Sequence, residues 1–540
     1  MGHRRGDRSG SGQALTRAFT VPAGNQAFRR RSQLPRAGRG VIFFLALCIT
    51  GCRPTPPALP SDISLVTIGV PESGASGSGF GIRQFVNLLS LDPFVYAGTD
   101  GRATPGLVER WTWETDTRVR LRLRPNVVFH DGTALNAALA ATLLRAGVTS
   151  QENRALTPAL EDIASIEPDG PLDLVLTLVR PSALLLEDLA LFMAKDTNIG
   201  TGPYRVVPTD NPLELRLERF DQHHRGTPTV AAVVIRPFDT LRTAWSSLLR
   251  GEVDVVSNVP ADAVEFIRND DVQVISYSRR YQFVIAFNTG RPALRPAAVR
   301  RALNLAIDRG SLTSRVLQAG GTPSTGPVWP GFWAYDDAVQ PYTFDPQQAI
   351  ALLDSAGYRL PREGTGGRAP ARLRFTCLLP ENFSVYERLA LEVQKNLLDI
   401  GVDMQIEPVS DQEFLARMAT RDFDAIFNDM ISGPTPERPY IFWRSARRFR
   451  GPYNVFGYEN PEVERLFDVL RTSRNDAAVR SATRRLQEAM LNDPPAIFLA
   501  WNSRARAIRR DFIIPEGEGD PLNSLWKWTA APPARVADAR

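Results

Sequence analysis

Leu121-Arg-Leu-Arg-Pro-Asn-Val-Val-Phe-His-Asp-Gly-Thr133, preceded by Pro105-Gly-Leu-Val-Glu-Arg-Trp111, is the stretch from which the fold can be read. In Val119-Arg-Leu-Arg-Leu-Arg124 apolar and charged residues alternate. A side-chain period of two puts one face on a core and the other in water, which predicts a half-buried strand. Asp131-Gly132 then supplies a tight turn, because Asp bonds its own backbone and Gly tolerates positive φ.

Outward from this point the pattern is mixed α/β. Leu213-Glu-Leu-Arg-Leu217 alternates again, and the apolar runs Leu174–Leu178 and Phe283–Phe287 read as strands buried on both faces. Val299, Leu303 and Ile307 share one helical face, as do Leu389, Val393, Leu397 and Ile400. Gln347–Ala356 closes on Gly357, a helix-terminating residue. Pro361–Ala371 reads as a polar loop, and Leu184–Ala194 is too interrupted by Glu187 and Asp188 to span a membrane.

The chain has 540 residues, which predicts more than one lobe. Its net charge of +5 misleads. Residues 1–51 hold nine of the 64 basic groups and one of the 59 acids, leaving 55 against 58 in the rest. The remainder is therefore slightly acidic, which argues against nucleic-acid binding. Cys48, Cys52 and Cys377 make no disulfide framework.

The basic segment 29–39 is followed by nine apolar residues, Val41–Ile49, too few to cross a bilayer. This is the layout of a secretory signal. It ends Ile49-Thr50-Gly51-Cys52, which resembles a bacterial lipobox and makes Cys52 the expected lipidated residue. Residues 53–62, RPTPPALPSD, suit a stiff tether.

The sequence contains no Gly-x-Ser-x-Gly elbow, His-Glu-x-x-His or Walker A loop, so no catalytic residue is assigned and no enzyme is expected. His130 reads as part of its turn. His223-His224 reads as a solvated pair, because neighbours in an extended chain point opposite ways. No metal site and no cofactor are predicted.

The opening stretch closely resembles the signature of the extracellular solute-binding proteins of the peptide/nickel importer family, "P-x-L-A-x-x-W … L-R-x-G-V-x-F-H-D-G-T". Gly200-Thr-Gly-Pro-Tyr204, Arg250-Gly-Glu-Val-Asp254, Phe287-Asn-Thr289, Val299-Arg-Arg-Ala-Leu-Asn-Leu-Ala-Ile-Asp308 and Asp345–Tyr358 are similar to further family elements, in family order. The resemblance runs from about Leu65 to Trp528. It implies an α/β fold of two hinged lobes with an extra subdomain, the periplasmic-binding-protein fold. Lobe I is expected from 63–92, 199–286 and 490–530, the inserted subdomain from 93–198 and lobe II from 287–489. Phe287-Asn-Thr289, where an apolar strand turns polar, suits the hinge crossing.

The implied function is a lipid-anchored, extracytoplasmic receptor of an ABC importer. It would be a monomer that traps a solute on closure and hands it to permease and ATPase subunits. The other readings are a ligand sensor without transport and an unrecognised hydrolase. Ser78, Phe80, Tyr281, Trp329, Trp333, Asn428 and Ser432 are the expected ligand-binding residues. Dipeptide binders resemble "G-W-x-G-D-x-x-D-P" in the second lobe, where an Asp holds the peptide amine. Here Asn428–Glu437 has no Asp in that register, so Asp429 and Glu437 are the only candidate substitutes and simple dipeptides are expected to bind weakly.

Overall fold

The computed structural model describes residues 63–532, except 72–76, 212, 261–262, 319, 363–368, 382–383, 448–452 and 518, and except the side chains of 77–81 and 152. The expected leader, Cys52 and the tether lie outside the described residues. No helix among those described is long and apolar enough to cross a membrane.

One mixed sheet organises the chain. Its strand order is Val402–Val409, Leu373–Pro380, Ala425–Ile431, Val272–Phe287, Ala496–Arg509, Val255–Val259, Val66–Pro71, Ala232–Phe238, Leu215–Arg219, Tyr204–Val207. Parallel pairing of 402–409, 373–380 and 425–431 on one side and of 255–259, 66–71 and 232–238 on the other is joined by antiparallel pairing through the long strands 272–287 and 496–509, and 215–219 and 204–207 extend the second side antiparallel. Separate cores form at the two ends of the sheet, giving two lobes.

In one lobe the alternation of Phe283–Phe287 is used on both faces. Phe283, Ile285 and Phe287 enter a core with Leu303, Leu389 and Val393. Val284 and Ala286 enter another with Phe467, Leu486 and Met490. Two buried faces are why this run carries no polar residue. In the other lobe Val66, Ile68, Val233, Ile235, Val255 and Ile508 form the core.

A four-stranded antiparallel sheet, in the order Val108–Thr115, Arg118–Leu123, Asp173–Leu178, Ile163–Pro168, has its own core. The strand Arg118–Leu123 buries Val119, Leu121 and Leu123 completely, as the alternation requires. Asn136 caps the following helix Ala137–Thr149 by accepting from the Leu139 N–H. Asp345 caps Pro346–Ser355 in the same way, and Gly357 at φ +89° ends it.

Two local expectations shift. The strand predicted over Leu213–Leu217 runs Leu215–Arg219, because the Asn211 side chain and carbonyl bind the Leu213 and Glu214 N–H groups in a turn. Phe287-Asn-Thr289 is not a crossing. Asn288 donates to the Phe423 and Arg421 carbonyls and Thr289 to Phe456, so these polar residues fasten a strand end within one lobe.

Candidate functional site

The crossing lies in the middle of the two long strands. Their pairing is regular from Val272↔Arg509 to Ser278↔Ser503, then resumes at Gln282↔Trp501. Arg279, Arg280 and Tyr281 thus face the single residue Asn502, a bulge against 496–509 at which Tyr281 still pairs with Ile431 on the other side and only Arg279 and Arg280 leave the ladder. Positively charged groups concentrate here. The Arg279 guanidinium lies 4.1 Å over the Tyr281 ring. Arg504, half-buried, has its pKa lowered by burial and then by the neighbouring Arg279 charge, with Asp429 opposing. Arg506 is neutralised by Asp520, with Nε 2.9 Å from Oδ1. Neither Arg279 nor Arg504 pairs with a carboxylate among the described residues. A cavity of about 250 Å³ opens on Arg504, Ser503, Ser276 and Gln318.

The expected ligand-binding residues divide into groups. Tyr281 belongs to this bulge. Trp329 is half-buried, edge-on to Trp501 at 5.0 Å, and abuts Gly433. The Ser432 and Gly433 N–H groups donate to the Arg280 carbonyl, which brings Tyr281 and Trp329 to one neighbourhood. Ser432 itself is buried, its hydroxyl accepting from the Gln282 amide at 2.6 Å, and so turns into the core. Asn428 accepts from the Asp429 N–H. Trp333 faces a second cavity, of about 560 Å³, with Arg102 stacked 3.9 Å above it and Trp113 and Glu187 beside it. Ser78 and Phe80 fall in the first turns of the helix Gly77–Ser90, and their side chains lie outside the described residues. Arg279, Arg504 and Trp501 were missed by sequence reasoning. The available signal was Ser278-Arg-Arg-Tyr281, two charges inside a strand that is otherwise uncharged.

Neither candidate amine anchor is at liberty. Asp429 accepts a hydrogen bond from the Tyr386 hydroxyl. Glu437 is buried, accepts from the Ala159 N–H at 3.0 Å and lies 4.0 Å from Arg471.

The segment 93–198 is joined to the crossing strand and to 287–489 around these residues. Arg280 donates to the Gly98 carbonyl at 2.7 Å, and the Trp333 N–H to Asp100 at 2.9 Å. Arg471 donates to the Pro158 carbonyl at 2.8 Å, the Tyr440 hydroxyl at 3.0 Å and Asp162 at 3.1 Å. Burial raises the pKa of Asp188 and Glu437, and the Glu437 charge raises Asp188 further. Burial pushes Glu187 up to about 7.

Residues 102–449, more than half of the chain, match the family model of the bacterial extracellular solute-binding proteins, family 5 Middle. The glutathione-binding protein GsiB of Pectobacterium atrosepticum is 25% identical over 426 residues, covering 73% of this chain and 80% of that one. The nickel-binding protein NikA of Staphylococcus aureus is 20% identical over 88% of this chain and 96% of its own. Among solved structures, NikA from Brucella suis in complex with Fe(III)-EDTA superposes with a TM-score of 0.75 at 19% identity, covering 86% of this chain and all of that one. AppA from Bacillus subtilis in complex with a nonapeptide gives 0.69 at 19% identity, covering 88% and 100%. These likenesses establish the two-lobed fold. The relatives are binding proteins and not enzymes, and the chain belongs to the bacterial extracellular solute-binding proteins of family 5.

Proposed function

We propose that this protein is the lipid-anchored receptor of an ABC importer and that it captures a solute bearing an anionic group. The lobes pivot where the two long strands bulge at Arg279–Tyr281, so Phe283–Ala286 and Ala496–Ala500, expected in the lobe of 63–92, 199–286 and 490–530, pack instead with 287–489. One observation carries the ligand class. The crossing presents Arg279 and Arg504 with no carboxylate in salt-bridge contact among the described residues, Asp429 acting on Arg504 only through space, beside Tyr281 and the Trp329–Trp501 pair. An unpaired, half-buried guanidinium is costly unless an anion neutralises it, and Arg binds carboxylates in a bidentate fork. The aromatic rings supply the apolar contact area typical of small-molecule sites. With Asp429 and Glu437 both engaged, a free amine has no comparable anchor. This favours an organic acid or an acidic peptide, such as the ligand in the name of the glutathione-binding relative, over simple dipeptides.

Isothermal titration with matched acids and amides tests the reading. Acids are expected to bind more tightly, and Arg504→Met should weaken them about 10–100-fold, the worth of one charge-assisted hydrogen-bond set at about 1.5–3 kcal/mol. Equal binding of acid and amide, or an unaltered affinity in the variant, would overturn it. The anchor is tested separately. Cys52→Ala protein should leave the membrane fraction and appear, folded, in the extracytoplasmic soluble fraction, and retention on the membrane would rule out Cys52 as the anchor.

A further inference from the structure

We propose that Asp92, His223 and His224 form a binding site for a divalent metal ion of the zinc type, stapling the inserted segment to the lobe it departs from. None of the three residues belongs to the crossing described above. The expectation that His223 and His224 point apart fails because the chain is not extended there. The His223 N–H bonds the Phe220 carbonyl at 3.0 Å, and the His223 carbonyl accepts from Gly226 at 3.0 Å, with Gly226 at φ +110°. The turn throws both imidazoles to the same side, with centroids 4.7 Å apart and planes at 60°.

Both rings face one carboxylate. His224 Nε2 is 3.1 Å and His223 Nε2 3.5 Å from Asp92 Oδ2, and the three donor atoms all lie within 4.8 Å of one another. A four-coordinate zinc ion with ligand bonds of about 2.0–2.1 Å holds its ligand atoms about 3.3 Å apart along each tetrahedral edge. The two measured edges bracket that value. All three side chains are enclosed, His223 at 1%, His224 at 4% and Asp92 at 3% exposure.

A purely hydrogen-bonded arrangement leaves a remainder. Asp92 Oδ2 already accepts from the Thr201 hydroxyl at 3.0 Å and from His224. Among the described residues neither ring nitrogen of His223 has a hydrogen-bond partner, and its Nε2 approaches the same oxygen only to 3.5 Å. A buried imidazole without a partner is what a metal ligand looks like before the ion is counted.

The surroundings fit second-sphere roles. The Tyr96 hydroxyl donates to Asp92 Oδ1 at 2.9 Å and accepts from Arg225 at 3.2 Å, so it orients the carboxylate and is committed as a donor. Two imidazoles and one carboxylate select a borderline first-row cation over magnesium or calcium, which prefer all-oxygen sites. Water would complete the fourth position. Asp92 ends the stretch leading out of the helix Gly77–Ser90, and Thr201 lies where the chain returns, so the ion would tie exit and return to the 223–224 turn. Its role would be structural, because the ligands are closed off from solvent.

The test uses mature, full-length protein carrying no polyhistidine tag, stripped with a chelator and titrated with Zn²⁺. One zinc per chain should survive gel filtration by elemental analysis, with a rise in Tm. Co²⁺ should give the intense visible absorption of four-coordinate cobalt. His223→Gln and Asp92→Asn should each reduce zinc affinity on the order of 100-fold, ligand loss costing at least as much as loss of an outer-sphere partner. Failure to retain stoichiometric zinc, an octahedral cobalt spectrum, or equal retention by wild type and variants would overturn the site. The cobalt spectrum needs only the wild-type chain, so a poorly folding variant does not blunt the test.

Discussion

Arg471→Met is expected to lower unfolding stability by about 3–5 kcal/mol, the cost of removing one partner from a buried ionic cluster. Arg471 is the cation among Asp162, Glu437 and the Pro158 carbonyl, where the inserted segment meets the helix Pro461–Thr472. Asp162 keeps Arg180 at 2.5 Å after the substitution, whereas Glu437 loses the stronger of its two cationic neighbours and is left with Asp188 and Arg438 in a site closed to water. The same cluster sets a pH dependence. Glu187 has a folded pKa of about 7 against an ordinary 4.5, raised by burial. The folded state therefore binds the proton more tightly, and this contribution is fully present below about pH 4.5 and lost as the pH rises towards 7. A shift of this size is worth about 3 kcal/mol. Chemical denaturation at several pH values should show stability falling across that window, less steeply in Glu187→Gln. His130, whose pKa burial lowers, contributes the opposite slope, so the difference between wild type and variant is the informative quantity. An identical pH profile for the two proteins would remove Glu187 from the account.

Much of the framework was legible because it obeys local rules. The alternation around Leu121, the unbroken run Phe283–Phe287 and the Asp345 and Gly357 helix ends each have a single stable reading. What sequence periodicity could not supply was the partner of each strand. Asn288 looked like a hinge residue because it ends an apolar run, yet its carbonyl partners, Arg421 and Phe423, are more than 130 positions away. The bulge at Arg279–Tyr281 was hidden for the same reason, since a register shift is a property of two strands. Ser432 was expected to meet the ligand, but Gln282, itself buried in the crossing strand, draws it inward. His223-His224 was misjudged because an extended backbone was assumed where the chain turns.

Gly202→Ala should cost about 3 kcal/mol or more and Gly200→Ala at least as much, although neither glycine has a positive φ. The reason is contact. The Gly202 N–H donates to the Ser90 carbonyl at 3.0 Å, so the two backbones touch. A Cβ on Gly202 would lie 2.5 Å from the Ser90 carbonyl carbon and 2.7 Å from the Leu91 nitrogen, and one on Gly200 would lie 2.1 Å from the Ser90 oxygen. Backbone atoms cannot swing away as a side-chain tip can, so the clash must be relieved by moving the joint. That joint is where the family motifs interlock. His130 Nε2 meets the Gly202 carbonyl at 3.0 Å, the His130 N–H donates to the Gly200 carbonyl at 2.9 Å, and the Gly200 N–H to His130 Nδ1 at 3.3 Å. Phe129-His-Asp-Gly132 and Gly200-Thr-Gly-Pro-Tyr204 are thus two halves of one contact, which accounts for the presence of both motifs without invoking the ligand. Gly170 is the control, at φ +81° with open space around a Cβ. Gly170→Ala should cost only about 1 kcal/mol, from backbone conformation alone. Thermal denaturation of the three variants separates the two causes. Equal destabilisation at 170 and 202 would mean that the close approach to Ser90 does not hold the joint.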